Sequence, residues 1–120
     1  MREILAIVKR SQAAATRREL ARIGCGGYTQ WPVLGRGRQR GLRNQHGHET
    51  MPFLPKLLFS LVVEEAHAAE TIEAIIRANQ TGGYGDGKIF VLGVSESCRI
   101  STGDCLSNGT PSTTVEERSG

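Results

Sequence analysis

A glycine-rich segment that leads directly into an apolar run constrains this chain more than any other feature. Residues 81–88 hold glycine at positions 82, 83, 85 and 87 and end on Lys88, and the apolar run 89–92 follows at once. Glycine lets the backbone adopt a positive φ and approach a ligand closely. Successive inward-facing amides beside a lysine form a concave anion site. The segment predicts a phosphate-binding loop, with a plain glycine turn and a solvated lysine as the alternative.

The loop does not match the Walker P-loop of nucleotide hydrolases. Ile89 follows the lysine where that motif has serine or threonine, and the next residues predict a strand instead of a helix. No Ser-His-Asp or Cys-His set is recognisable elsewhere in the chain. We therefore expect a binding protein and not an enzyme.

Length and charge limit the class of protein. A chain of 120 residues predicts one domain, and the absence of a long apolar run predicts no membrane insertion. The first residues lack the apolar region of a signal peptide, so a cytoplasmic location is expected. The net charge is +3, and Arg36, Arg38, Arg40 and Arg43 lie close together without an acidic neighbour. Such a cluster favours anionic partners, although a solvated loop would also carry it.

Hydrophobic periodicity predicts four strands and two helices. The strands are expected at residues 3–8, 28–34, 53–63 and 88–94, and the helices at 11–23 and 64–79. Ser11 is the expected N-cap of the first helix, and Pro32 indicates that the second strand is an edge strand or contains a bulge. Ile72, Ile75 and Ile76 form the expected apolar stripe of the second helix. The βαββαβ order predicts an α+β, ferredoxin-like split βαβ fold with both helices on one face.

Two segments lie outside this pattern. Residues 37–52, between the second and third strands, predict a long mobile loop, and such loops are usually functional. We assign residues 1–97 to the domain and residues 98–120 to a partly disordered tail, because the tail is polar. Cys98 and Cys105 flank Gly103 and could form a disulfide under oxidation, but the sequence does not show the geometry that a disulfide requires.

Four stretches resemble the nitrogen-regulatory PII signal-transduction superfamily. They are Met-Arg-Glu-Ile-Leu-Ala-Ile-Val-Lys at 1–9, Gly-Arg-Gly-Arg-Gln-Arg-Gly at 35–41, Phe-Leu-Pro-Lys at 53–56, and the glycine loop with its strand at 81–91. The first resembles the first strand of that family. The second and third resemble the entry and exit of its T-loop (here 37–52), and the fourth resembles its phosphate-binding B-loop (here 81–88). The likeness covers residues 1 to about 103.

The resemblance implies a homotrimer with an ATP- and ADP-binding cleft between neighbouring subunits, and a T-loop that regulates a target protein. The implied nucleotide-binding residues are Thr29, Gly35, Gly37, Arg38, Val62, Gly85, Asp86, Gly87 and Lys88, with Arg99 reaching the phosphates from the adjacent subunit. Gln39, Arg40 and Lys56 are the implied anion-effector set. In the family, Gln39 helps to hold magnesium beside ATP and Lys56 helps to bind 2-oxoglutarate.

The chain also departs from the family pattern. Residues 42–51 contain neither the tyrosine nor the serine that is modified in many relatives. Gly83 stands where a basic residue is expected, and Ser101 replaces a second phosphate-binding arginine. Fewer positive charges should weaken triphosphate binding more than diphosphate binding, so we expect ADP or AMP to bind at least as tightly as ATP. These departures indicate a divergent, carboxysome- or transporter-associated branch, in which bicarbonate is a further candidate effector.

Three alternatives remain open at this stage. The first is a nitrogen-status sensor of ATP, magnesium and 2-oxoglutarate. The second is an RNA-binding module, which is disfavoured because the strands lack the aromatic pattern that stacks bases. The third is a metal site at His46 and His48, which is disfavoured because two histidines are too few for a closed zinc site. We therefore predict no metal site built from protein side chains alone and no nucleic-acid partner, and magnesium beside a bound nucleotide stays open.

Overall fold

The computed structural model describes residues 1–36, 42–43, 49–51, 53–107 and 110–111. A short 3-10 turn, Arg10–Gln12, precedes the first helix. In chain order the other elements are β1 (Arg2–Lys9), α1 (Ala13–Arg22), β2 (Thr29–Gly35), β3 (Leu42–Arg43), β4 (Glu49–Met51), β5 (Leu54–Val63), α2 (Glu65–Asn79), β6 (Gly87–Gly93), β7 (Glu96–Cys98), β8 (Cys105–Ser107) and β9 (Thr110–Pro111).

The main sheet has the strand order β2-β5-β1-β6, and all its neighbouring pairs are antiparallel. The two strand–helix units therefore interleave, and β1 lies between β5 and β6. This arrangement confirms the predicted ferredoxin-like α+β class. Of the two alternatives for the strand containing Pro32, it shows an edge strand, the position in a sheet where proline is tolerated.

One face of the sheet carries the core. Ile4, Ala6 and Val8 alternate along β1 and are buried, and Phe59 and Leu61 of β5 join them. Leu20 of α1 and Ile75 of α2 pack on this face. Buried residues recur at every second position along β1 and at helical spacing along the helices. Both patterns are visible in the sequence, because they follow from local backbone geometry.

A buried polar network joins the two helices. Asn79 Nδ2 donates hydrogen bonds to Thr16 Oγ1 and to the Ile75 carbonyl, each at 2.9 Å. Thr16 Oγ1 in turn donates to the Gln12 carbonyl at 2.8 Å. Asn79 is the last residue of α2, so this network holds the point at which the glycine loop leaves the helix.

Both helices differ in detail from the prediction. Ser11 is not an N-cap: it lies in the 3-10 turn, α1 begins at Ala13, and Gln12 occupies the cap position. The tight turn lets Gln12 Nε2 reach the Ala78 carbonyl at 2.8 Å, a long-range contact that the local sequence does not display. In α2, Ile75 is buried but Ile76 is 43% exposed, and Ala68, Thr71 and Ala74 form the buried stripe with Ile75.

The other face of the sheet is apolar and lacks a covering layer among the described residues. The register aligns Trp31, Leu58, Ile7 and Lys88 in one row across the four strands. Trp31, Val62, Phe90 and Leu92 are 41–50% exposed on this face. A single copy of the chain therefore leaves a broad apolar surface in contact with water.

The long segment between β2 and β5 contains regular structure that the sequence analysis missed. β3 and β4 form an antiparallel pair in which Leu42 lies opposite Met51 and Arg43 opposite Glu49, with a register shift between them. The other positions of the predicted T-loop, 37–41, 44–48 and 52, lie outside the described residues.

The first part of the predicted partly disordered tail contains regular structure. β7, β8 and β9 form a three-stranded antiparallel sheet. The hairpin is attached to the domain by a hydrogen bond from the Val94 N–H to the Met1 carbonyl at 3.1 Å and by Ser97 Oγ against Met1 Sδ. Backbone pairing and attachment to the domain order this hairpin, which has too little apolar content to fold alone.

Candidate functional site

The glycine loop is held in shape by one carboxylate. Asp86 Oδ2 accepts hydrogen bonds from the Thr81 N–H at 2.7 Å and from the Gly82 N–H at 2.9 Å, and Asp86 Oδ1 accepts one from the Thr81 hydroxyl. Lys9 Nζ of β1 lies 3.6 Å from Asp86 Oδ1. The end of the loop is thereby tied both to its beginning and to the central strand of the sheet.

These contacts lower the pKa of the Asp86 carboxyl group. The hydrogen bonds from Thr81, followed by those from Gly82 and the charge of Lys9, lower the pKa of Asp86 to about 2 from its ordinary 3.8. Hydrogen bonds from several donors stabilise the charged form of a carboxyl group. Asp86 lines the cleft and has a positioning role within the loop, and its predicted contact with a nucleotide stays a prediction.

We expect the Asp86→Asn variant to have a lower free energy of unfolding than the wild type at pH 7. A carboxamide retains one acceptor oxygen and turns an NH₂ group toward the donors of Thr81 and Gly82. Because the folded pKa of Asp86 is depressed, its stabilising effect is fully present above the unfolded pKa and is lost as the pH falls toward 2.

Denaturant unfolding between pH 7 and pH 2, at one protein concentration, checks this expectation. The difference between wild type and Asp86→Asn should be constant above about pH 4 and should shrink below it. Asp104→Asn, which changes an exposed aspartate of the β7–β8 hairpin, is the matched control. Equal stability of Asp86→Asn and wild type at pH 7 would contradict the positioning role.

The loop and the sheet enclose a cleft of about 460 Å³. The cleft contains six of the predicted site residues: Gly35, Lys56, Gly85, Asp86, Gly87 and Lys88. It also contains residues that the sequence analysis left out of the site: Ile7, Arg36, Leu54, Gly83, Tyr84 and Phe90. Arg36 belongs to the arginine cluster noted in the sequence. Ile7 lies in the cleft because the strand register sets it opposite Lys88, and the sequence alone does not show that register.

The cleft is basic at its floor. Lys56, on β5, is 9% exposed, and its Nζ donates a hydrogen bond to the Gly85 carbonyl at 2.9 Å. Burial and then the charge of Lys9 lower the pKa of Lys56, against the opposing effect of Asp86. Lys88 Nζ lies 5.6 Å from the centroid of the Phe90 ring, a cation–π arrangement. These amines can bind an anion of the size of a phosphate group.

Three predicted residues lie outside the cleft. Thr29 and Val62 lie on the apolar face of the sheet, opposite Ser60 and Glu3 respectively. Arg99 is exposed in the β7–β8 hairpin. Four others, Gly37, Arg38, Gln39 and Arg40, fall outside the described residues, and so do His46 and His48. Their predicted roles stay predictions.

The two cysteines of the hairpin come together. Cys98 and Cys105 are direct cross-strand partners, with their Sγ atoms 2.13 Å apart in a disulfide. Arg99 lies inside the ring that this bond closes, and its N–H donates to the Asp104 carbonyl at 2.8 Å. The pair therefore constrains the backbone at Arg99.

The described residues contain neither a candidate metal cluster nor a membrane-spanning helix. Within the described ranges, no three His, Cys, Asp or Glu side chains are grouped so that they could hold a metal ion. No helix in the same ranges has the length and apolar character that crossing a membrane requires. The cytoplasmic location stays a prediction.

Comparisons with known proteins point to one family. The family model described as "Nitrogen regulatory protein P-II" matches residues 1–104. A nitrogen regulatory protein P-II of Rhodospirillum rubrum is 42% identical over 106 residues, covering 87% of this chain and 95% of the relative. The nitrogen regulatory protein P-II 2 of Methanothermobacter thermautotrophicus is 39% identical over 106 residues, with 87% and 92% coverage. A nitrogen fixation nifHD1 region GlnB-like protein 2 of Methanosarcina barkeri is 36% identical over 116 residues, with 87% and 94% coverage.

Proposed function

The chain belongs to the nitrogen regulatory protein P-II family, and from that premise we propose that it senses adenine nucleotides together with a small anionic metabolite. The family is regulatory and not catalytic. In this proposal, the bound ligands alter the surface that residues 37–52 present to a partner protein. Each ligand can shift the conformational equilibrium of that segment only to the extent that it binds one conformation more tightly than another.

The cleft beside the glycine loop carries the proposal. It combines a glycine-rich backbone, the basic side chains of Arg36, Lys56 and Lys88, and apolar side chains such as Ile7 and Leu54. A nucleotide presents matching chemistry, since its phosphates are anionic and its base is largely apolar. The volume of about 460 Å³ lies within the usual range of small-molecule sites.

A homotrimer is part of the proposal, and two observations support it. The exposed Trp31, Val62, Phe90 and Leu92 form an apolar sheet face of the kind that subunit interfaces bury. Thr29, Val62 and Arg99 have implied roles in nucleotide binding but do not line the cleft of their own chain. A site completed by a neighbouring copy accounts for both observations.

A sensor of ATP, magnesium and 2-oxoglutarate is the second candidate. The names of the relatives favour it, because they are nitrogen regulators or nitrogen fixation region proteins. Lys56 lies in the cleft, where a 2-oxoglutarate carboxylate could reach it. Gln39, the implied magnesium-associated residue, lies outside the described residues.

Calorimetric titration with ADP, AMP and ATP distinguishes the candidates. We expect ADP or AMP to bind at least as tightly as ATP, because Gly83 and Ser101 leave the terminal phosphate with fewer cationic partners. A clear preference for ATP with magnesium, strengthened by 2-oxoglutarate, would favour the second candidate over the first. Binding of RNA oligonucleotides without nucleotide binding would contradict both.

The Gly83→Arg variant sharpens this test. A Cβ at Gly83 meets only Thr81 Oγ1, at an ordinary 3.5 Å, so a side chain fits there. One charge-assisted contact contributes about 1.5–3 kcal/mol, so ATP affinity should rise roughly tenfold or more relative to ADP. Gly26→Arg, which adds the same charge away from the cleft lining and meets nothing within 4 Å, is the control. An unchanged ratio of ATP to ADP affinity would contradict the charge argument.

A further inference from the structure

The three lysines of this chain surround one loop, although the chain has twelve arginines. Lys56 and Lys88 line the cleft, and Lys9 pairs with the loop carboxylate of Asp86. An arginine keeps its charge under all physiological conditions, whereas a lysine can lose its proton and become a nucleophilic amine. Each lysine is therefore a candidate for chemistry beyond simple charge.

Lys56 has the environment that most favours a neutral amine. Its side chain is buried at the floor of the cleft, and the register sets it directly opposite Lys9 on the neighbouring strand. Burial and the Lys9 charge both lower the pKa of Lys56. Asp86 opposes that effect, and because Asp86 and Lys9 pair with each other, burial is the main cause of the lowered pKa.

The same surroundings suit a negative charge at the end of the Lys56 side chain. Arg36, after β2, and Lys88, at the start of β6, line the cleft with Lys56, and Lys9 faces it from β1. The Gly85 carbonyl, which accepts a hydrogen bond from Lys56 Nζ at 2.9 Å, needs one N–H group from that nitrogen. A modification that leaves one N–H and adds a small carboxylate fits these neighbours.

We propose that Lys56 Nζ is a reversible carbamylation site for dissolved CO₂. The ammonium group first loses a proton to water, and the neutral amine lone pair attacks the CO₂ carbon. A C–N bond forms as one C–O π bond breaks, and the second proton leaves to water. The product, N–COO⁻, keeps one N–H for the Gly85 carbonyl, and the charge at this position changes from +1 to −1.

The consequence is a competition within the cleft. Carbamylation of Lys56 and binding of an anionic effector to the Lys56 ammonium group exclude each other, because the negative carbamate repels the anion. CO₂ would then act as a second signal at the site proposed for the anion. Carbamylation itself does not require nucleotide binding, so it can be tested separately from the proposed function.

The test uses the full-length protein in buffer equilibrated with ¹³CO₂. The carbamate carboxylate is trapped by esterification with a trialkyloxonium salt, and peptide mass spectrometry locates the label. We expect label on Lys56 in excess of label on Lys9, Lys88 and the N-terminal amine. The label should increase as pH is raised at constant dissolved CO₂, because both proton losses become more favourable.

Two variants localise the reaction. Lys56→Arg keeps the positive charge and should lose the label at position 56, since guanidinium does not add CO₂. Lys88→Arg removes another cleft amine and should keep the label on Lys56. If the wild type carries label only on the N-terminal amine, or equally on all three lysines, the proposal is overturned. Calorimetry of ADP in CO₂-free buffer reports separately on the nucleotide site.

Discussion

The Gly87→Ala variant is expected to lose much of its stability together with nucleotide binding. Gly87 has φ +123°, a conformation that side-chain-bearing residues rarely adopt, and a Cβ there would lie 2.1 Å from the Ile7 carbonyl oxygen. The next contacts, with Ile7 C at 3.2 Å and Val8 Cα at 3.3 Å, are also backbone atoms, which cannot rotate away. The added methyl group must therefore move the start of β6 away from β1.

The size of the effect follows from two costs. Holding a non-glycine residue at such a φ costs about 1–3 kcal/mol, and overpacking costs typically a further 1–3 kcal/mol. Displacement of β6 also shifts Lys88, the next residue, and with it the cleft. Denaturant unfolding and calorimetric titration with ADP measure the two losses.

A matched glycine on the same strand provides the control. Gly93 ends β6, and a Cβ there meets nothing within 4 Å. We expect Gly93→Ala to retain stability close to the wild type. If Gly87→Ala is as stable as Gly93→Ala, the close approach of the loop to β1 does not limit the fold as argued.

The Lys88→Ala variant is expected to bind adenine nucleotides much more weakly while keeping its assembly. Lys88 lies in the cleft at the end of the glycine loop, with its Nζ 5.6 Å from the Phe90 ring centroid. Loss of one charge-assisted contact of about 1.5–3 kcal/mol corresponds to roughly a 10- to 150-fold loss of affinity. Calorimetry with ATP and ADP measures the change, and light scattering measures the molecular mass.

A second charge change separates a direct contact from a general electrostatic effect. Arg77 lies on α2, outside the cleft lining, and pairs with Glu19 at 3.0 Å. Arg77→Ala removes one positive charge, as Lys88→Ala does, but should change nucleotide affinity little. Equal losses in the two variants, or unchanged affinity in Lys88→Ala, would remove the central role of Lys88.

The order of the main-sheet strands and helices was predictable because it rests on local patterns. Alternation along β1, helical spacing in α2 and the position of Pro32 each depend on a few neighbouring residues. The glycine loop was equally visible, since positive φ at Gly82, Gly85 and Gly87 is a property of the residue type. The family resemblance rests on the same segments, and the match over residues 1–104 confirms it.

The contacts of individual site residues were decided by the tertiary structure. Asp86 accepts hydrogen bonds from its own loop and pairs with Lys9, which lies 77 positions earlier in the chain. The Lys56 partner, the Gly85 carbonyl, is separated from it by 29 positions. Such contacts depend on strand register and on where the loop leaves α2, and no local pattern encodes either of them.

The β7–β8 hairpin likewise combines features that are visible in the sequence with features that depend on the tertiary structure. The sequence by itself determined that Cys98 and Cys105 flank a glycine turn, and its polar composition indicated a partly disordered tail that could not fold alone. The tertiary structure decided where the ordered part of that segment lies, through backbone pairing with a neighbouring strand and attachment to Met1. Composition and periodicity indicate whether a segment can bury its own side chains. Long-range hydrogen bonds and strand register, which stabilise a segment through the rest of the fold, are visible only in the tertiary structure.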